Sequence, residues 1–148
     1  MASNNSKNTC SKDTIFAGTM KGTIKHLHKP ETFNFDTTSV YRRTVNGQMR
    51  VEATMVFPDE NQNRVVYFML NSVNPPTDKY DVGTDAVRAL SVRLPEGVFG
   101  DFNASMGEIN LQNHFPESRI NGSLDFQTEN LGGDQYDVKM VFEVLGID

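Results

Sequence analysis

The chain has 148 residues, with 14 Lys and Arg against 19 Asp and Glu, and a single cysteine. That length fits one domain able to bury roughly 70% of its unfolded surface without a metal or disulfide staple. One cysteine excludes an intramolecular disulfide, no apolar run of about 18 residues is present to cross a membrane as a helix, and a pI near 5.1 argues against a nucleic-acid partner, whose binders are strongly basic.

The charge is unevenly spread. Residues 1–50 hold eight bases and three acids, whereas residues 51–148 hold six bases and 16 acids. Either neighbouring strands from the two halves neutralise one another, or the basic half presents a face to an acidic partner.

Residues 1–13 are rich in Ser, Asn and Lys and read as a disordered polar tail, with one folded domain over 14–148. They contain no apolar core of a secretory signal. From Thr14 the chain reads as strand, with Phe16, Met20 and Ile24 on one face and Lys21 and Lys25 on the other. Gly18 and Gly22 lie between and predict a bend or bulge. Lys29-Pro30-Glu31 breaks the strand, and the Thr- and aromatic-rich segment Thr32–Val45 favours extended structure.

Asn46-Gly47 predicts a tight type I′ hairpin turn, since both residues accept positive φ. The following strand points Met49, Val51, Ala53, Met55 and Phe57 inward. After the turn at 58–63, residues 64–73 form a strand that is apolar on both faces. Pro75-Pro76 ends it, because proline cannot donate to a ladder. A short edge strand over 79–82 comes next, then a strand over 87–94 with a helical turn near its start. Two hairpins complete the chain: 98–104 with 106–112, and 119–128 with 136–144 around a Gly132-Gly133-Asp134 turn. The expected fold is all-β with little helix. About nine or ten short antiparallel strands would form a β-sandwich or a flattened barrel.

Candidate sites are few. His26 and His28 share a face of an extended strand and could begin a zinc site, though a third ligand is required. Asp59, Asn61 and Asn63 match the opening of a calcium loop, but Arg64 replaces its glycine and no glutamate closes it, so an Asx-rich hairpin turn explains them better. The irregular stretch 74–85 gathers Asp78, Tyr80, Asp81 and Asp85, which could hold a sugar or a cation or merely edge a crossover. Lys21, Lys25, Arg42 and Arg50 form a candidate outward basic patch, against the plainer reading of a solvated, salt-bridged face. No nucleophile elbow, zinc helix, P-loop or dinucleotide fingerprint occurs, so no catalytic residue and no cofactor is assigned.

Cys10-Ser11-Lys12-Asp13 followed by polar sequence resembles the start of many bacterial surface lipoproteins after their lipidated cysteine. The segments Gly107-Glu108-Ile109-Asn110-Leu111 and Arg119–Phe126, followed by a last strand, resemble the close of uncharacterised β-sandwich domains in such proteins. The likeness covers about a third of the chain, and residues 1–9 depart from it in being polar where a precursor carries a hydrophobic lipobox. It implies an extracytoplasmic or cell-surface module and no particular chemistry.

Together these readings predict a non-enzymatic binding module for a small molecule, carbohydrate or protein. A structural protein assembling through strand edges, or a small hydrolase, are the alternatives.

Overall fold

A computed structural model describes residues 17–57, 62–95 and 100–146. Nine strands run along them: β1 (Ala17–His26), β2 (Thr32–Val45), β3 (Gln48–Phe57), β4 (Gln62–Leu70), β5 (Asp78–Asp81), β6 (Val87–Arg93), β7 (Asp101–Asn113), β8 (Arg119–Thr128) and β9 (Tyr136–Leu145). Every pairing is antiparallel.

The hydrogen-bonded order β7-β6-β4-β3-β2-β1-β9-β8 returns to β7, so eight strands close into a barrel. The ninth, β5, hangs on β7 at Glu108–Leu111, beyond the point where β6 leaves it at Asn103. Of the two expected architectures, then, the sheet closes on itself rather than splitting into a sandwich. The first and last strands are neighbours in the wall, which removes the free edges a sandwich would keep.

Alternation fills the barrel interior. Met20, Ile24, Phe35, Val51, Phe68, Val92, Phe102, Leu124, Phe126 and Val138 all belong to one buried cluster. Outward positions on the long strands carry Lys, Asp, Glu, Thr and Asn, the inverse of a barrel with a lipid-facing apolar band. No helix among the described residues is long and apolar enough to cross a membrane.

Local signals were reliable where backbone chemistry is strict. Asn46 and Gly47 have φ of 51° and 78°, and Val45 pairs with Gln48 across them. The bulge expected near Gly18 appears as a register shift between Ala17 and Met20. Gly22 has a different reason: a Cβ there would lie 1.8 Å from the Lys139 carbonyl oxygen, so β1 and β9 approach closely only because that atom is missing.

Four expectations are corrected. Of the hairpin placed at 98–112, residues 98 and 99 lie outside the described residues and 101–112 belong to one long strand, β7, whose pairing with β8 shifts register between Ala104 and Met106; an irregularity in the alternation had looked like a turn. The helical turn before β6 is a set of non-helical turns over 82–86. The strand placed at 64–73 is β4, ending at Leu70. Arg42, expected outward, shares parity with the buried Val40 and is itself only 2% exposed, its Nη2 donating to the Val73 carbonyl at 3.4 Å.

Candidate functional site

A groove of about 670 Å³ lies on the outer wall, over the middles of β2, β1, β9 and β8. Two cross-strand rows build it. Asp36, Lys21, Val141 and Ser123 stand side by side in the first, and Asn34, Thr23, Lys139 and Asp125 in the second. Because side chains alternate, every member points away from the core, and Val141 is left 52% exposed as an apolar floor among polar neighbours. A twisted sheet closed into a barrel has a hyperboloid outer surface, and the groove occupies its waist.

The electrostatics of the two rows differ. Lys139 Nζ donates to Asp125 Oδ1 at 3.0 Å and lies 3.6 Å from Asp137 Oδ2. The Asp125 hydrogen bond is the main reason its ammonium is held above the ordinary lysine range, with Asp137 adding to it. Lys21, by contrast, has no carboxylate within 4 Å among the described residues, although Asp36 is its direct cross-strand neighbour. The groove thus offers one satisfied ion pair, one open cation, one open carboxylate and three neutral hydrogen-bonding side chains around a valine. Two smaller hollows adjoin it. One of about 310 Å³ shares Asp125 and Lys139, and another of about 340 Å³ shares Ser123 and adds Asn110, Gln112 and Asn121.

The sequence-derived candidates fall in several places. His26 ends β1 and turns inward, 1% exposed. Its Nδ1 accepts from the His28 backbone N–H at 3.0 Å, so the proton sits on Nε2, which donates to Asp134 Oδ1 at 2.9 Å. The His26 hydrogen bond, helped by Lys29 at 3.5 Å, holds the Asp134 carboxyl below the usual range. His28 lies past the end of β1 and contacts Gln135 at 2.9 Å. The two imidazoles meet edge to face, with both nitrogens of His26 and Nε2 of His28 already engaged. No group of three or more His, Cys, Asp or Glu is placed to hold a metal ion among the described residues.

Asp59 and Asn61 lie outside the described residues; Asn63 is the second residue of β4, paired with Val56. In the 74–85 stretch the proposed ligands do not converge. Tyr80 packs against the core and donates its hydroxyl to the Pro76 carbonyl. Its phenol is pushed above the ordinary tyrosine range by burial, with Asp78 adding to it. Asp81 lies 3.7 Å from Lys79, and Asp85 is exposed in the turn before β6. The loop itself is pinned by Asn113, whose side-chain amide donates to Asn74 Oδ1 at 2.8 Å and to the Pro75 carbonyl at 2.7 Å.

The expected basic patch is likewise dispersed. Lys21 lines the groove, Lys25 is exposed higher on β1, Arg42 is buried, and Arg50 faces outward on β3. Sequence reasoning missed Asn34, Asp36, Ser123, Asp125, Lys139 and Val141 as a set. Each was readable as outward by parity, but nothing in a single sequence pairs the first strand with the last.

Compared with family models, curated proteins and solved structures, the chain matches none.

Proposed function

We propose that this protein is a non-enzymatic binding module whose ligand seats in the groove over β2, β1, β9 and β8. The carrying observation is the groove itself: about 670 Å³ is the size that holds a small molecule, and an apolar floor with a few directed polar groups is the usual pattern of such sites. Lysine and carboxylate balance there, so the best-fitting ligand is near neutral, polar at its edges and apolar on one face. A sugar ring meets that description. Its C–H face would rest on Val141 and its hydroxyls would reach Thr23, Asn34, Ser123 and the carboxylates of Asp36 and Asp125. An extracytoplasmic setting, implied by the surface-lipoprotein resemblance, suits capture of such a ligand.

Two observations favour this reading over its alternatives. Closure of the barrel leaves the four-residue β5 as the terminal strand of the sheet, a short edge on which to build an assembly. A hydrolase acting on a sugar commonly works with a pair of carboxylates as acid and base. Of the two that line the groove, Asp125 is already bound by Lys139 at 3.0 Å, which leaves Asp36 without a second open carboxylate there.

The test is an amide-resolved NMR titration with mono- and disaccharides, small carboxylic acids and amino acids. Saturable shifts at Lys21, Ser123, Lys139 and Val141 that vanish in Val141→Asp, with the melting temperature little changed, are expected. Shifts that survive in that variant, or a panel that leaves those four amides unmoved, would sink the proposal.

A further inference from the structure

The outer wall on the other side of the barrel carries a second, chemically different arrangement. Arg43 of β2 and Arg50 of β3 are direct cross-strand partners, which sets their Cβ atoms roughly 5 Å apart. Like charges in that position destabilise a sheet. Here each guanidinium lies over a tyrosine: Arg43 Cζ stands 4.8 Å from the centre of the Tyr41 ring, and Arg50 Cζ 4.6 Å from that of Tyr67. The row alongside runs Tyr41, Glu52, Tyr67, so two arginines and two tyrosines tile one patch.

Neutralisation of the pair is incomplete. Glu52 accepts from Arg50 Nη2 at 2.7 Å, which leaves Arg43 without a carboxylate partner among the described residues. The other terminal nitrogen of Arg50, Nη1, donates only to the Met69 thioether at 3.7 Å. Sulfur is a weak acceptor, so an oxygen anion would readily displace it. Cation–π contact with the rings favours these positions of both forks before any ligand arrives, and planar forks match tetrahedral oxyanions through paired N–H donors.

We propose that Arg43 and Arg50 form a seat for a phosphate or sulfate ester on the outer wall of β2, β3 and β4. The anion bridges Arg43 and Arg50 Nη1, replaces the thioether contact, and relieves the repulsion between the two cations. Glu52 keeps the patch from holding a second anion, because its carboxylate occupies the Tyr41–Tyr67 row. This seat is separate from the waist groove, and either can fail without the other.

The experiment follows arginine Nε–H and backbone amide signals of the full chain during titration with sodium phosphate and with sodium sulfate, ionic strength being fixed with chloride. Saturable shifts centred on residues 41–52 and on Met69 are expected. Arg43→Gln should raise the dissociation constant roughly tenfold or more. Arg43→Lys, which keeps the charge but loses the fork, should fall between, and Lys21→Gln should change nothing. Phosphate affinity that climbs as the second proton of inorganic phosphate leaves, near neutral pH and above the value of about 6 for an ester, and that exceeds the affinity for sulfate would assign a phosphate ester. Tighter, pH-independent sulfate binding would assign a sulfate ester. Shifts that grow without saturating, or a titration unchanged in both Arg43 variants while their spectra overlay the parent elsewhere, would overturn the proposal.

Discussion

The Nε2–H of His26 donates to Asp134 across 2.9 Å and joins positions 108 residues apart. It ties the end of β1 to the turn that leads into β9, at the rim where the barrel closes. His26 also meets Tyr136 edge to face at 4.9 Å, and Tyr136 meets Phe102 in the same way at 5.1 Å. The rim is thus a polar clasp backed by stacked rings.

That clasp gives stability a dependence on acid. The carboxyl of Asp134 has a lower pKa folded than unfolded, so its contribution is complete above the unfolded value near 3.9 and is lost as pH falls through the folded one. Denaturant midpoints of the parent and Asp134→Asn should therefore separate at neutral pH and converge in acid. A constant offset between the two curves at all pH values would mean the carboxylate charge plays no part. His26→Ala, which removes a hydrogen bond and a ring contact from a buried site, should cost about 2 kcal/mol at neutral pH.

Gly22→Ala should be among the most damaging single-methyl additions, because the new carbon would fall 1.8 Å from the Lys139 carbonyl oxygen. Gly122 meets the Asn110 carbonyl at the same distance, and alanine there should behave alike. A loss of about 3 kcal/mol or more is expected for each. Gly47→Ala, with nothing within 4 Å and only its φ of 78° at stake, should cost about 1 kcal/mol. Urea denaturation of the three variants checks the order.

Asn113→Ala should loosen the loop before β5 without harming the barrel. The variant loses both amide bonds that fix Asn74 and Pro75, while the Asn113 backbone N–H still donates to Thr77 Oγ1 at 2.8 Å. Hydrogen exchange should quicken over Thr77–Val82 and stay slow in β1 and β9. The global cost should be about 1 kcal/mol. Uniform acceleration across all strands would show that the loop and barrel unfold together.

Replacing Lys139 by Met should change stability by less than about 0.5 kcal/mol, since the lysine and its nearer partner Asp125 are exposed and solvent screens the pair. The raised pKa of the lysine means its small contribution is present at neutral pH and is lost as pH rises through the folded value. Thermal melts at neutral and strongly alkaline pH, parent against variant, would detect the sign.

Much of this molecule is written in alternation. Met20, Ile24, Ile120, Leu124 and Phe126 are inward as their spacing demanded, and Asn46-Gly47 turns as its chemistry demanded. In β9 the buried Val138, Met140 and Phe142 leave Lys139 and Val141 on the outside by the same rule. What alternation cannot encode is who stands beside whom: Val141 borders Lys21 only because β9 pairs with β1, and the groove exists only through that neighbour. The misplacement of Arg42 had a different cause. A charged residue one step out of phase with Tyr41 and Arg43 was assigned by its polarity, whereas its parity with Val40 was the sounder guide. Polarity likewise joined Asp78, Tyr80, Asp81 and Asp85, although successive residues of β5 point to opposite sides.

The pairing of the first strand with the last also sets an order of events during synthesis. When the ribosome has released β1 through β8, each strand in the run from β2 to β7 can find a neighbour, but β1 and β8 both present an uncovered flank that only β9 can fill. Ring closure therefore waits for the final segment and joins sites far apart in the chain, a slow step by the general relation between contact separation and folding rate. Until then the nascent chain carries two sticky margins. A chain stalled or cut before Tyr136 would keep them and should be a client for chaperones and proteases, whereas the completed barrel would not.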